Sequence, residues 1–88
     1  VIAGPDGACS VHAASYDREV PWLATAGAGD VLAGLVAGLS ASQTSGDLHN
    51  MAEVAVWLHV EAARAFGPGL IAEDLPDALP GVFRSLAF

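Results

Sequence analysis

Thr25-Ala26-Gly27-Ala28-Gly29-Asp30, running without a break into Val31-Leu32-Ala33-Gly34-Leu35-Val36-Ala37-Gly38-Leu39, decides how this chain is read. The first half is a run of small residues ending in a carboxylate. The second half carries apolar residues at helical spacing, so the junction predicts a loop that opens a helix with Asp30 in its first turn. Glycines at such a junction let backbone approach a ligand closely. The unbonded N–H groups of a helix start, at the positive end of its dipole, favour bound phosphate. The junction is therefore a candidate anion site, with Asp30 as a possible base beside it. An ordinary tight turn, in which Asp30 only complements the helix dipole, fits the loop equally well.

Working outward, the helix is predicted from about Ala28 to Ala41. Asp30, Gly34 and Gly38 share one face, and Leu32, Leu35, Val36 and Leu39 form an apolar stripe. Gly34-x-x-x-Gly38 reads as a close-packing face. Upstream, Val1-Ile2-Ala3 and Ala8-Cys9-Ser10-Val11-His12-Ala13 flank Pro5-Asp6-Gly7 and predict a β-hairpin. Residues 14–22 form a polar connector. Downstream, residues 42–46 read as a linker and Asp47 as the N-cap of a second helix reaching to about Phe66. Met51, Ala55, Leu58, Ala62 and Ala65 line one face of it. Gly67-Pro68-Gly69 ends it. A third helix is predicted over Asp74–Leu86, with Leu75, Leu79, Val82, Phe83 and Leu86 as core candidates and Pro80 expected to kink or split it. The fold class is α/β, a β-hairpin followed by about three helices. An isolated hairpin is marginal in water, so we expect preceding sheet strands to be absent from this chain.

Composition narrows the function. Of 88 residues, 53% are hydrophobic and 15% charged, which predicts one packed domain at most and excludes disorder. Three Lys/Arg against ten Asp/Glu leave a net charge of −7, which opposes the counterion release that drives nucleic-acid binding. Nucleic acid and anionic membranes are poor partners. A nucleotide remains compatible, because backbone amides bind phosphate without basic side chains. The lone Cys9 cannot form an internal disulfide, and no Cys/His spacing matches a metal site, so a reduced, cytoplasmic setting is the default. The longest apolar run, Val31–Leu39, is well short of the roughly 18 residues that span a membrane.

Val1-Ile2-Ala3-Gly4-Pro5-Asp6-Gly7, Trp22-Leu23-Ala24-Thr25-Ala26-Gly27-Ala28-Gly29-Asp30-Val31-Leu32-Ala33-Gly34, Leu58-His59 and Gly69-Leu70-Ile71-Ala72-Glu73-Asp74-Leu75-Pro76 resemble the C-terminal part of the ADP-dependent NAD(P)H-hydrate dehydratases. The resemblance covers essentially all of residues 1–88. Gly-Ala-Gly-Asp alone marks the wider ribokinase-like superfamily, which includes sugar and vitamin kinases. The Val-Leu-Ala-Gly after Asp30 and the distal Gly-Leu-Ile-Ala-x-Asp-Leu favour the dehydratases. The resemblance implies the C-terminal segment of a ribokinase-like sandwich. It also implies return of hydrated NADH or NADPH to the normal cofactor, by phosphoryl transfer from ADP and loss of phosphate.

Carried over to this chain, the resemblance makes Asp30 the base and a contact of the hydrated cofactor. Gly27, Ala28 and Gly29 become the anion hole, Gly29 and Thr25 lie near ADP or AMP, and Mg²⁺ accompanies the phosphates. Thr25 has an equally good structural role in the loop. Ala28 stands where these enzymes usually carry Thr or Ser, which removes a hydroxyl and keeps the amide. The Lys-Gly-containing nucleotide segment that normally precedes the hairpin is absent, so the chain is expected to carry about half a site. The other half would come from an N-terminal portion or from a homo-oligomer. A sugar or vitamin-precursor kinase, and a non-catalytic remnant or partner-binding fragment, stand as alternatives. His59 reads as a packing histidine ahead of a catalytic one, and Val60 replaces the usual glycine after it. His12 and His49 show no convergent partner. Trp22 and Trp57 read as packing or pocket-wall residues, Glu73 and Asp74 as helix-start acids.

Overall fold

The computed structural model describes residues 1–42 and 47–86. All but the first residue of the linker expected over 42–46 fall outside them. The observed order is β1 (Ile2–Ala3), β2 (Cys9–Ser10), two short 3₁₀ turns (Tyr16–Arg18 and Pro21–Leu23), α1 (Ala28–Ala41), α2 (Leu48–Phe66) and α3 (Asp74–Ser85). This is a small α/β unit, a two-stranded hairpin with three helices, as the residue pattern predicts.

The hairpin is antiparallel, with Ile2 opposite Ser10 and Ala3 opposite Cys9. Its turn chemistry is local. Gly7 takes a φ of 93°, and the Asp6 carboxylate accepts the Ala8 N–H at 3.0 Å. The pairing is shorter than the expected strands, and no third strand joins the pair among the described residues.

Two of the helix ends follow the expected caps. Asp47 Oδ1 accepts the His49 N–H at 2.9 Å, satisfying one orphan donor of α2. At the far end Gly67, with a φ of 96°, donates to the Ala63 carbonyl. At the start of α3, Asp74 Oδ2 reaches back to the Ile71 N–H at 2.9 Å, which fixes the approach of the Gly69–Ala72 segment. The split that Pro80 allowed does not occur: α3 runs through it as one helix. Only the bond from position 80 to the Pro76 carbonyl is lost, and both prolines are exposed, so water can serve the freed carbonyl.

The core lies where α2 meets α3 and the start of α1. Ala55, Leu58, Ala62, Ala63, Leu70, Ala72, Leu75 and Val82 are buried, joined by Val20 and Ala28. Trp22 is half-buried, and its indole N–H donates to the Ala63 carbonyl at 2.8 Å, which ties the second 3₁₀ turn to α2. Met51, Leu79 and Phe83 are half-buried, Ala65 is exposed, and Leu86 is exposed, contrary to its reading as core. The α1 stripe of Leu32, Leu35, Val36 and Leu39 is only half-buried, and Ala28 alone of that helix is buried. No helix among the described residues is long and apolar enough to cross a membrane.

Candidate functional site

Gly27 is the N-cap of α1, with φ 88° and ψ −7°, a left-handed conformation that an L side chain enters at a cost. A Cβ at this position would also stand 3.1 Å from the Ala72 Cβ. Two of the sequence segments that carry the resemblance, around Gly27 and around Ala72, thereby come into close contact across the fold.

Below the cap the loop is held by backbone bonds. Thr25 N–H donates to Leu23 C=O at 2.8 Å and Ala28 N–H to Thr25 C=O at 3.2 Å. The first helical bond is from Val31 N–H to Gly27 C=O at 3.2 Å. The amides of Gly27, Gly29 and Asp30 have no acceptor among the described residues, as a helix start requires. Of the three residues expected to form an anion hole, Gly27 and Gly29 thus offer open amides, whereas the Ala28 amide is engaged within the turn. Ala28 itself is buried and anchors the turn in the core. Thr25 is half-buried, and its carbonyl serves the turn.

Asp30 is exposed in the first turn, and its carboxylate makes no hydrogen bond or ion pair among the described residues. Around Gly29 there is open space, with nothing within 4 Å of where a Cβ would be. From Val31 onward a groove of about 420 Å³ runs past Gly34, Gly38, Pro76 and Leu79. The turn therefore presents amides and a carboxylate on an open face rather than in an enclosed pocket.

His59 proves to be buried, as a packing histidine should be, at 7% exposure. Its partner was not foreseen: Nε2 lies 2.9 Å from the Ala28 carbonyl. That oxygen only accepts, so Nε2 carries the proton and donates. Burial pushes the His59 pKa below its ordinary 6.5, with the bond to Ala28 opposing as the smaller influence.

The reading of His12 and His49 is corrected. Both place Nε2 3.0 Å from Ser10 Oγ, and His12 Nε2 is 3.2 Å and His49 Nε2 3.8 Å from the Glu53 carboxylate. The cluster fastens the hairpin to α2. His12 and His49 are 37 positions apart in the chain, so only the docking of hairpin on helix brings them together. Trp57 is partly exposed under Arg18, whose guanidinium lies 5.2 Å from the ring centroid. The same guanidinium pairs with Glu61 at 2.7 Å. Among the described residues no group of three or more His, Cys, Asp or Glu side chains is disposed to hold a metal ion.

The sequence profile of the family described as NAD(P)H-hydrate dehydratase matches residues 1–79. The chain is 37% identical over 90 residues to the ADP-dependent (S)-NAD(P)H-hydrate dehydratase of Xanthomonas campestris pv. campestris, an alignment covering 97% of this chain and 29% of that protein. It is 40% identical over 91 residues to the bifunctional NAD(P)H-hydrate repair enzyme Nnr of Moorella thermoacetica, covering 98% of this chain and 16% of that protein. The chain thus spans less than a third of the length of either relative. No solved structure is significantly similar to it.

Proposed function

The chain belongs to the NAD(P)H-hydrate dehydratase family, and from that premise we propose that its Gly27–Asp30 turn is the phosphoryl-transfer end of a site that uses ADP to dehydrate hydrated NADH or NADPH. The observation that carries the proposal is the turn itself: open amides at Gly27, Gly29 and Asp30 beside an unpaired, exposed Asp30 carboxylate.

In this reading the hydroxyl of the hydrate lies against Asp30. The carboxylate takes its proton as the oxygen bonds to the terminal phosphorus of ADP, and the bond from that phosphorus to AMP breaks. Negative charge grows on the equatorial oxygens of the transferring group, where preorganised backbone amides act best. Gly27 and Gly29 supply such amides, with Thr25 and Ala28 shaping the turn beneath. Phosphate then leaves with the former hydroxyl oxygen, a proton leaves the neighbouring ring carbon, and the ring double bond returns. Magnesium is the cation expected to accompany the phosphates. The described residues offer no ligand set for it, and no step above is assigned to it.

The open face of the turn and the half-buried stripe of α1 support a further part of the proposal. The hairpin and helices act as the C-terminal segment of a ribokinase-like sandwich, with the nucleotide-facing wall supplied by another part of a longer protein or by a second copy. Product analysis tests the reaction. Incubation with NADH hydrate, ADP and Mg²⁺ should yield AMP, free phosphate and NADH in equal amounts. A stable phosphorylated small molecule in place of free phosphate would instead make the site a kinase.

A further inference from the structure

We propose that His59 is a positioning residue for the Gly27–Asp30 turn: its Nε2–H bond to the Ala28 carbonyl fixes how the first turn of α1 presents the Gly29 and Asp30 amides and the Asp30 carboxylate. The bond is 2.9 Å long and joins α2 to the first residue of α1, two positions before Asp30. Both partners are 7% exposed. Leu58, Ala62 and Ala63, on the turns around His59, are at 3% or less, so the imidazole is held in a packed stretch of helix. An apolar side chain would fill this position without the cost of burying an imidazole, which only a made hydrogen bond offsets. The Ala28 carbonyl has a second lone pair beyond the one used by the helix, and His59 occupies it. The bond orients α1 at its functional end, while the remainder of that helix has little buried surface to hold it.

This inference rests on the reading of the turn as a phosphate site, and its test separates the two. In the 88-residue chain, His59→Gln keeps an N–H near the position of Nε2, and His59→Leu keeps bulk without a donor. Inorganic phosphate is titrated while the Gly27, Gly29 and Asp30 amide resonances are followed. The original chain and His59→Gln should bind alike, with His59→Leu weaker by about tenfold, the worth of one hydrogen bond of about 1.4 kcal/mol. Equal binding by His59→Leu, or failure of a folded His59→Gln, overturns the role. If the original chain binds no phosphate, the site reading fails, and the role is judged on the free proteins. There the Gly29 and Asp30 amide shifts should move in His59→Leu and stay in His59→Gln, and no movement in His59→Leu overturns it. Should His59→Leu not fold, the imidazole nitrogen resonances of the original chain decide: Nε2 protonated is expected, and Nδ1 protonated instead overturns the bond.

Discussion

Gly27 and Gly29 stand two positions apart under opposite constraints. Gly27 is needed by the fold, because its φ of 88° strains any other residue and a Cβ there would crowd Ala72 at 3.1 Å. Gly27→Ala should lower stability by about 1–2 kcal/mol for the left-handed backbone alone, read as a fall in Tm. Gly29 has no such neighbour. Gly29→Ala should leave stability unchanged or raise it by up to about 1 kcal/mol of helix propensity, read in Tm, while weakening phosphate binding at the turn. A loss of stability in Gly29→Ala would show that this glycine is structural after all. His59 adds a pH dependence. Its folded pKa lies below 6.5, so below that value the unfolded chain binds more protons than the folded one. The contribution is fully present above pH 6.5 and is lost as pH falls through the folded value. Urea melts should show a shallower loss between pH 7 and 5 in His59→Gln, and an unchanged slope would refute the assignment. The sequence marked His59 as buried, since it sits among apolar residues. Its partner was illegible, because the bond spans 31 positions and depends on how α1 and α2 cross.

At the scale of elements, helix ends were readable because their signals are local: Gly27 before α1, Asp47 before α2 and Gly67 after it act through bonds to near neighbours. Pro80 carries an equally local signal but does not split α3. The ring removes one bond, yet Leu75 and Val82 bury on either side of it and keep α3 together. Pro80→Ala should therefore raise unfolding stability by about 1 kcal/mol through the restored bond, measured by urea denaturation, and a loss would mean that the proline shapes a bend the packing needs. The hairpin depends on a non-local fastening, the Ser10, His12, His49 and Glu53 cluster. Its histidine–carboxylate contacts are partly exposed and worth roughly 0–1 kcal/mol. Glu53→Ala should speed hydrogen exchange in β1 and β2 with little change in Tm. Exchange unaltered in the hairpin would show that turn chemistry alone holds it.

The whole molecule has a thin core. Among the described residues, half of the ten buried hydrophobic ones are alanines, and Leu75 is the one large side chain with less than 2% exposure. The radius of gyration is 13.1 Å, against about 12 Å for a compact chain of this length. Leu75→Ala should cost about 2–5 kcal/mol, enough to unfold much of a chain with so small a core, as circular dichroism would register. The order of elements and the Gly27–Asp30 turn were legible from residues alone because loop, cap and periodicity are encoded in neighbours. The wall proposed to face the turn was not, since no residue of the turn encodes it. The central claim is that Asp30 is the base of an ADP-dependent dehydratase, and the direct measurement compares NADH recovered from its hydrate, with ADP and Mg²⁺, by the chain and by its Asp30→Asn variant. Recovery by the chain with a loss of about a hundredfold or more in the variant is predicted, the usual share of general-base catalysis. Equal, measurable recovery by the two proteins contradicts it, whereas none in either contradicts only the completion of the site by a second copy of the chain.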